Sequence, residues 1–250
     1  KKVMKNAFRI TKHKYQTSLR VRVPGGLIDP ESLMTVSKIS SEYGDGQIHI
    51  TTRQGFEILG IAMEDMGQVN QMIQPVIEKL DINQDEKGTG YGAAGTRNVS
   101  ACVGNKVCPK AQYNTTKFAK RVEKAIFPHD LHFKVALTGC PNDCIKARMH
   151  DFGIIGTCLP EYEMDRCVTC MACVNKCKSY SVGALRCENN KIIRNEEKCI
   201  GCGECVLNCP MNAWTRSPKK YYKLIIMGRT GKKNPRLAED WLRWVDEDSI

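Results

Sequence analysis

The sequence has no apolar run that could cross a membrane and no apolar stretch near its start of the kind that a secretory signal requires. Its longest apolar runs are pieces such as residues 224–227, far below the roughly 18 residues that a bilayer span needs. Cysteine is frequent, but 14 in 250 residues is below the roughly 8–10% of a disulfide scaffold. A chain without an export signal normally keeps its thiols reduced. Clustered cysteines therefore predict metal ligands in a cytoplasmic protein without a membrane span.

The composition is that of a globular protein with an excess of basic residues. With 42% hydrophobic and 26% charged residues, the chain is unlike a disordered segment, a collagen or a coiled coil. Thirty-eight basic and 27 acidic residues give a net charge of +11. Such an excess indicates a polyanionic partner, which could be nucleic acid, anionic lipid or a ligand with many carboxylates. No basic-aromatic stripe or recognition motif supports nucleic acid.

Eight cysteines form two runs with identical spacing. Both runs follow C-x2-C-x2-C-x3-C, the pattern with which two-cluster bacterial ferredoxins hold two [4Fe–4S] clusters. The first three cysteines of each run bind one cluster, and the fourth binds the other. The predicted ligand sets are Cys167, Cys170, Cys173 and Cys209 for one cluster, and Cys199, Cys202, Cys205 and Cys177 for the other. Two zinc sites are the alternative, although zinc modules usually present pairs of ligands rather than quartets.

Four further cysteines have a different spacing. Cys102 and Cys108 are separated by five residues, and Cys140 and Cys144 enclose the tripeptide Pro-Asn-Asp. This C-x5-C…C-x3-C pattern resembles that of the siroheme-containing sulfite and nitrite reductases. The resemblance implies that these four cysteines bind a third [4Fe–4S] cluster. It also implies that Cys144 is the axial ligand of the siroheme iron.

The same resemblance implies roles for polar and basic residues. Residues 51–54 and 96–98 resemble segments that line siroheme, where arginines bind carboxylates or the substrate oxyanion through a planar fork of donors. Lys134 resembles a lysine that faces substrate, and His132 stands where relatives have a second lysine, so the proton donor stays open between these two. Residues 228–233 resemble a loop that closes on siroheme carboxylates. The implied catalytic residues are Arg53, Arg97, Lys134 and His132; those implied to bind siroheme are Thr51, Thr52, Arg53, Arg97, Asn98, Asn142, Cys144, Arg229, Lys232 and Lys233.

The periodicity along the chain predicts an α+β protein. Strands are predicted at 18–23, 47–52, 56–61, 131–137 and 221–227, and helices at 29–43, 63–80, 115–125, directly after Cys144, and at 236–244. The β-α-β-β-α order before the cysteines suggests a ferredoxin-like half-domain over residues 1–88. A siroheme/[4Fe–4S] domain of the sulfite reductase type is predicted over 89–160 and 218–250, with a two-cluster bacterial ferredoxin inserted at 161–217. Family members usually continue past residue 250, so a C-terminal segment is expected to be missing.

Two other features of the sequence do not indicate a binding site. The Gly90-x-Gly92-x-x-Gly95 segment matches the dinucleotide fingerprint, but a polar stretch precedes it and no acidic residue follows at the required distance. Cys158 and Cys187 fit neither cysteine pattern and are predicted to be small buried hydrophobic residues.

The resemblance implies a siroheme sulfite reductase subunit that reduces sulfite to sulfide with six electrons. Its cofactors would be siroheme and three [4Fe–4S] clusters, whose negative charges could absorb the basic excess. It implies a hetero-oligomer in which a flavin/NADH-linked subunit and an iron–sulfur subunit donate electrons. The alternatives are a siroheme nitrite reductase and, outside enzymes, a two-cluster electron-transfer ferredoxin. The ferredoxin would leave the first four cysteines unexplained.

Overall fold

A computed structural model of the chain describes residues 7–84, 91, 95–129, 131–231 and 233–250. The chain forms two compact units, of which unit 1 is Lys1–Ala101 with Thr116–Ala136 and unit 2 is Cys102–Thr115 with Leu137–Ile250. The predicted boundaries after residues 88, 160 and 217 do not coincide with the limits of these units, and the three-part division stays a prediction. Within the described ranges no helix is both long enough and apolar enough to cross a bilayer.

Unit 1 is built on an antiparallel sheet with the strand order β1-β2-β4-β3. The strands are β1 (Phe8–Ile10), β2 (Gln16–Val21), β3 (Ile48–Ile50) and β4 (Phe56–Ala62). Leu19 of β2 lies opposite Ile58 of β4, and both side chains are fully buried. Because side chains alternate along a strand, this register turns Arg20 and Arg22 to the face opposite Leu19.

Helices α1 (Pro30–Tyr43) and α2 (Met66–Lys79) contribute the rest of the apolar core of unit 1. The Asp29 carboxylate accepts a hydrogen bond from the backbone N–H of Ser32 at 3.1 Å, and Pro30 occupies the first turn of α1. Both features stabilise a helix start, which is why the predicted and observed helices begin together. Val36 and Ile39 of α1 are buried in this core. The unit also contains β5 (Ser100–Ala101) and nearly all of α3 (Thr115–Ile126).

Unit 2 contains three small groups of antiparallel strands. The bounds are β7 (Phe152–Thr157), β8 (Pro160–Tyr162), β9 (Leu185–Glu188), β10 (Lys191–Arg194), β11 (Trp214–Arg216), β12 (Tyr221–Ile226) and β13 (Glu239–Asp246). Strand β12 pairs with both β7 and β13, β8 pairs with β11, and β9 pairs with β10. Helices α4 (Ala172–Tyr180) and α5 (Glu204–Leu207) carry cysteines of the two runs, and β6 (Val135–Thr138) leads into the Cys140 segment.

Two predicted helices are wrong. Residues 236–244 were predicted to be helical, but Glu239–Asp246 forms strand β13. The apolar residues at 237, 238, 241 and 242 have helical spacing, yet pairing with β12 satisfies a row of backbone groups that would otherwise be a free sheet edge.

After Cys144 there is only a 3₁₀ turn, Ala147–Met149. The Asp143 carboxylate accepts the backbone N–H groups of Ala147 at 2.7 Å and Arg148 at 3.2 Å, which caps this turn. The chain then enters β7 at Phe152, and no room is left for a longer helix. The predicted strand at 131–137 is shorter than expected and begins at Val135.

Candidate functional site

A cavity of about 200 Å³ in unit 1 is surrounded by basic side chains. Its wall comprises Arg20, Val21, Arg22, His49, Thr51, Thr52, Arg53, Gly55, Glu57, Arg97 and Asn98. Five of the residues predicted from the sequence therefore come together here, although they belong to segments more than 40 residues apart. Arg20, Arg22 and His49 were not predicted. The alternation of Arg20 and Arg22 on one strand face was the available signal for the two arginines.

Two amide side chains hold the segments around this cavity together. Asn98 Nδ2 donates to the backbone carbonyl of Val23 at 2.9 Å and to that of Arg53 at 2.6 Å. Gln54 Nε2 donates to the Ala101 carbonyl at 2.7 Å, while Gln54 Oε1 accepts the Ala101 N–H at 2.8 Å. The loop that carries Arg53 is thus fixed to the segment that carries Arg97.

A buried ion pair also holds residues 96–99 in place. Arg22 Nε donates to Glu123 Oε1 at 2.6 Å, and the two side chains are only 6% and 3% exposed. Arg22 NH1 also donates to the Thr96 carbonyl at 2.8 Å, and Glu123 Oε2 accepts the Val99 N–H at 3.1 Å. Burial raises the pKa of Glu123, and Arg22 opposes that rise by favouring the carboxylate. The pair therefore holds both ends of residues 96–99, between which Arg97 lies.

The electrostatics of the cavity favour a ligand with several negative charges. Burial lowers the pKa of Arg97, and the positive charges of Arg20 and Arg53 lower it further. Among the described residues of the cavity wall Glu57 is the only carboxylate, and it already accepts Arg9 at 3.1 Å and Arg20 at 3.5 Å. The buried Nε of Arg20 has no hydrogen-bond partner within the described ranges. Arginines crowded in this way are stabilised by carboxylates or an oxyanion, so the residues present fit a polycarboxylate macrocycle or a small oxyanion.

The other predicted basic residues lie elsewhere. Lys134 is half-buried and His132 is exposed, and neither lines the cavity. Arg229 and Lys233 are exposed residues of the β12–β13 connection, where the backbone of Arg229 pairs with that of Arg236. Lys232 lies outside the described residues, as does most of the segment from Gly90 to Gly95. The roles predicted for these residues stay predictions.

The first cysteine quartet lies in loops of unit 2. The Gly139 N–H donates to Cys102 Sγ at 3.1 Å, and Asn142 Nδ2 donates to Cys144 Sγ at 3.1 Å. A Cβ atom on Gly139 would collide with Ala111, so the glycine permits the close approach of this backbone to the sulfur. Asn142, predicted to act near siroheme, is thus directed at the sulfur of Cys144.

One of the predicted ferredoxin ligand sets lines a single hollow. Its wall includes Cys167, Cys170, Cys173 and Cys209, three cysteines of the first run and the last of the second. The Thr169 N–H donates to Cys167 Sγ at 3.4 Å and the Ala213 N–H to Cys209 Sγ at 3.2 Å. The four cysteines of this crossed set thus lie around one hollow, and their role as cluster ligands stays a prediction.

The second predicted ferredoxin set also has hydrogen-bonding groups at two of its sulfurs. The Ala184 N–H donates to Cys177 Sγ at 3.2 Å, and Ser181 Oγ lies 3.3 Å from Cys202 Sγ. Gly201 and Gly203 have φ values of 69° and 72°, a backbone region that favours glycine. Donors directed at sulfur stabilise the thiolate form in which cysteine binds metal.

The chemistry of these cysteines is compatible with clusters. A [4Fe–4S] cluster takes each of four cysteines on a different iron, so each predicted set of four thiols fits one cluster. Across the described ranges, no three His, Cys, Asp or Glu side chains surround a point where one metal ion could bind. The choice between clusters and zinc stays a prediction. Cys158 is buried, as predicted, whereas Cys187 is only partly buried in β9.

Comparisons with known proteins match almost the whole chain. A family model described as the nitrite/sulfite reductase ferredoxin-like half domain matches residues 10–76, and one described as the nitrite and sulphite reductase 4Fe-4S domain matches residues 92–250. A subunit of the anaerobic sulfite reductase of Salmonella typhimurium is 44% identical over 98% of this chain and 74% of its own length.

More distant relatives agree with this match. The coenzyme F420-dependent sulfite reductase of Methanocaldococcus jannaschii is 33% identical over 64% of this chain and 25% of its own length. Among solved structures, dissimilatory sulfite reductase I has a similar fold, with a TM-score of 0.67 at 15% identity over 92% of this chain and 58% of that one. On the extent of these matches, the chain belongs to the nitrite and sulfite reductase family.

Proposed function

We propose that this protein is a sulfite reductase that reduces sulfite to sulfide with six electrons, using siroheme and three [4Fe–4S] clusters. The observation that carries the proposal is the arginine-lined cavity, where five of the residues that sequence resemblance assigned to siroheme and sulfite come together. The identity of 44% to an anaerobic sulfite reductase subunit supports sulfite over nitrite as the substrate.

The residues proposed to hold siroheme contribute charge and hydrogen bonds. Thr51, Thr52, Arg53, Arg97 and Asn98 line the cavity of unit 1. Resemblance alone assigns Asn142, Cys144, Arg229, Lys232 and Lys233. Siroheme, when bound, would supply the redox chemistry and would pass to sulfite the electrons that the partner subunits donate. The protein supplies the surroundings in which that chemistry proceeds.

The proposed roles of the basic side chains follow from their chemistry. Arg53 and Arg97 neutralise the oxygens of the anion and orient it, since a guanidinium presents two parallel donors and stays charged. Reduction of sulfite also consumes protons as its oxygens leave as water. Lys134 or His132 would hold the proton that is delivered, because an ammonium or imidazolium can both stabilise developing charge and donate.

The proposed ligand sets assign twelve cysteines to three clusters. Two sets belong to an inserted ferredoxin at residues 161–217, and the set of Cys102, Cys108, Cys140 and Cys144 belongs to the surrounding siroheme/[4Fe–4S] domain at 89–160 and 218–250. The ferredoxin-like half-domain is assigned to residues 1–88. The crossed hollow lined by Cys167, Cys170, Cys173 and Cys209 supports the two-cluster insert.

The proposed location of the protein is the cytoplasm, and its proposed state is a hetero-oligomer. The matched Salmonella protein is named as a subunit, which supports a multi-subunit complex. The proposed partners are a flavin/NADH-linked subunit and an iron–sulfur subunit, because the sequence offers no convincing nicotinamide or flavin motif.

Iron content, visible spectrum and substrate preference together test this function. Anaerobically purified protein should contain about 13 iron atoms per chain, which is three cubes of four and one siroheme iron. Its spectrum should show intense chlorin-type bands, and a chemical electron donor should support faster reduction of sulfite than of nitrite. A content of about eight without chlorin bands would favour a two-cluster ferredoxin, and a preference for nitrite would favour the nitrite reductase.

A pair of variants links this activity to the cavity. Arg53→Met should raise the KM for sulfite or lower siroheme content, because it removes one of the crowded positive charges. Lys38→Met is the matched control, since Lys38 is an exposed α1 residue with a side chain 64% exposed. Equal effects of the two changes would contradict the role given to the cavity.

A further inference from the structure

A second cavity in unit 2 lies between two of the proposed ligand sets. It has a volume of about 90 Å³, and its wall includes Cys140 of the first quartet and Cys202 of the second ferredoxin set. Lys110, Tyr180, Ser181 and Glu204 also line it. The cavity therefore marks the place where the Cys102–Cys144 segments approach the insert.

An ion pair spans this place. Lys110 Nζ lies 2.5 Å from Glu204 Oε1, and the Glu204 side chain is only 6% exposed. Lys110 follows Cys108 by two residues, and Glu204 stands between Cys202 and Cys205 in the second run. The pair thus joins two loops that each carry proposed cluster ligands.

Aromatic and polar contacts complete the connection. Lys110 Nζ donates to Tyr180 OH at 3.2 Å and lies 4.4 Å from the centre of the Tyr180 ring. Arg216 NH2 donates to the Pro109 carbonyl at 2.7 Å, which ties the same loop to β11. Asn208 Nδ2 donates to Glu204 Oε2 at 3.2 Å, so both oxygens of the buried carboxylate are occupied.

We infer that Lys110, Glu204 and Tyr180, here named the junction lock, fix the separation and orientation of two cluster sites between which electrons pass. This inference rests on the proposed function. One electron would leave the cluster held by Cys177, Cys199, Cys202 and Cys205 and reduce the cluster held by Cys102, Cys108, Cys140 and Cys144. No bond forms or breaks, and no proton is needed. The three lock residues are positioning residues, because they act through the ligands that their loops carry.

Loss of Lys110 should slow electron transfer because it leaves a buried charge unpaired. Without Lys110 the Glu204 carboxylate would be left beside a cluster whose thiolates already carry negative charge. The Glu204 side chain would turn toward water, and the loop from Cys108 to Lys110 would lose its strongest contact with the insert. Electron transfer between two clusters slows as their separation grows. We therefore expect severalfold slower transfer.

The test measures electron arrival rather than turnover. Anaerobic holoenzyme is mixed with a limiting amount of dithionite, and freeze-quenched samples are examined by EPR for reduction of each cluster. The signal of the first-quartet cluster is identified by its loss in Cys108→Ser. In Lys110→Met the ferredoxin clusters should be reduced at the parental rate, and the first-quartet cluster more slowly.

Three further variants separate a positioning role from a structural one. Lys110→Arg keeps the charge and should restore most of the rate. Glu204→Gln combined with Lys110→Met removes both charges and should be faster than Lys110→Met alone. Lys176→Met is the matched control, because Lys176 stacks on the same Tyr180 ring at 4.3 Å and should leave the rate unchanged.

Each outcome decides the matter. A parental rate in Lys110→Met with parental iron content would overturn the inference, as would equal slowing in Lys176→Met. If Lys110→Met loses iron, the double variant decides: slow transfer at full iron content supports the lock, and a parental rate refutes it. A parental enzyme without chlorin bands or sulfite reduction would instead refute the proposed function, since the EPR measurement does not use siroheme.

Discussion

Breaking the buried Arg22–Glu123 pair should damage both the stability of unit 1 and the binding of sulfite. Arg22→Met keeps much of the length of the side chain but removes the guanidinium that Glu123 and the Thr96 carbonyl use. The carboxylate then remains buried, with the Val99 N–H as its remaining donor among these contacts. Unlike a surface pair, this one cannot be replaced by water without rearrangement of the surrounding core.

The size of the effect follows from the burial of the two side chains, which are 6% and 3% exposed. Removing one partner of such a pair typically costs about 3–5 kcal/mol. In a chain of this size each kcal/mol corresponds to a shift of about 2–4 °C in the unfolding midpoint, so a fall of about 6–20 °C is expected. Replacing both residues, with Arg22→Met and Glu123→Leu, should recover part of this loss because no buried charge is left alone.

The assay is thermal unfolding of the holoenzyme, followed by the KM for sulfite at a temperature where both proteins are folded. Lys38→Met is the control, because its pair with Glu42 is exposed and should be worth at most about 1 kcal/mol. Arg22→Met should also raise the KM for sulfite, since Arg22 holds the segment that carries Arg97. An unfolding midpoint within about 2–3 °C of the parental value, roughly 1 kcal/mol, would refute the reasoning.

Three other predictions address different parts of the molecule. Cys144 is proposed to bind both the first-quartet cluster and the siroheme iron, so Cys144→Ser should abolish the magnetic coupling between the two in Mössbauer spectra. Equal coupling in variant and parent would contradict this double role. Lys134→Met should keep every cofactor but slow sulfite reduction by about 10²-fold, and a parental rate would show that Lys134 is not the proton donor. Asp240→Asn should lower the unfolding midpoint by the same amount at pH 5 and pH 8. Burial raises the pKa of Asp240, but hydrogen bonds from Arg148 and Lys223 outweigh burial and bring this pKa to about 2, below the ordinary 3.8. The stability that the Asp240 carboxylate contributes is therefore complete above about pH 5 and is lost only below that pH. A deficit that differs between the two pH values would contradict this account.

Local signals in the sequence predicted the helices of unit 1 well. Asp29 before Pro30 marks the start of α1, and the predicted helix at 115–125 differs from α3 by one residue at its end. These helices could be predicted because the residues that cap them and the residues of their apolar faces lie within a few turns of one another in the sequence. The segment at 236–244 failed because its apolar spacing suits a helix while its neighbour β12 offers an open edge. A pairing partner elsewhere in the chain is not visible in a local window.

In the candidate site, too, local motifs could be predicted from the sequence and contacts between distant residues could not. The motifs around Arg53, Arg97 and the cysteines were identified by resemblance, and the structure brings five of the predicted polar residues to one cavity. The contacts that hold them could not be found in this way. Arg22 pairs with a residue 101 positions away and Lys110 with one 94 positions away, and no motif of the sequence joins either pair. Only the folded backbone brings these charges together.

The interior of residues 161–217 has a consequence for how the protein is made. Cysteines 173, 177 and 205 are among its few buried side chains, so the proposed cluster ligands themselves constitute much of its core. Unit 1, by contrast, has a core of aliphatic and aromatic side chains that contains no cysteine among the described residues. Newly synthesised chains should therefore acquire a folded arginine cavity before iron is delivered, whereas residues 161–217 should become protected only as the proposed clusters are built. Limited proteolysis of chains made under iron starvation should cut first between residues 161 and 217. The amount of intact protein should therefore depend on the supply of iron.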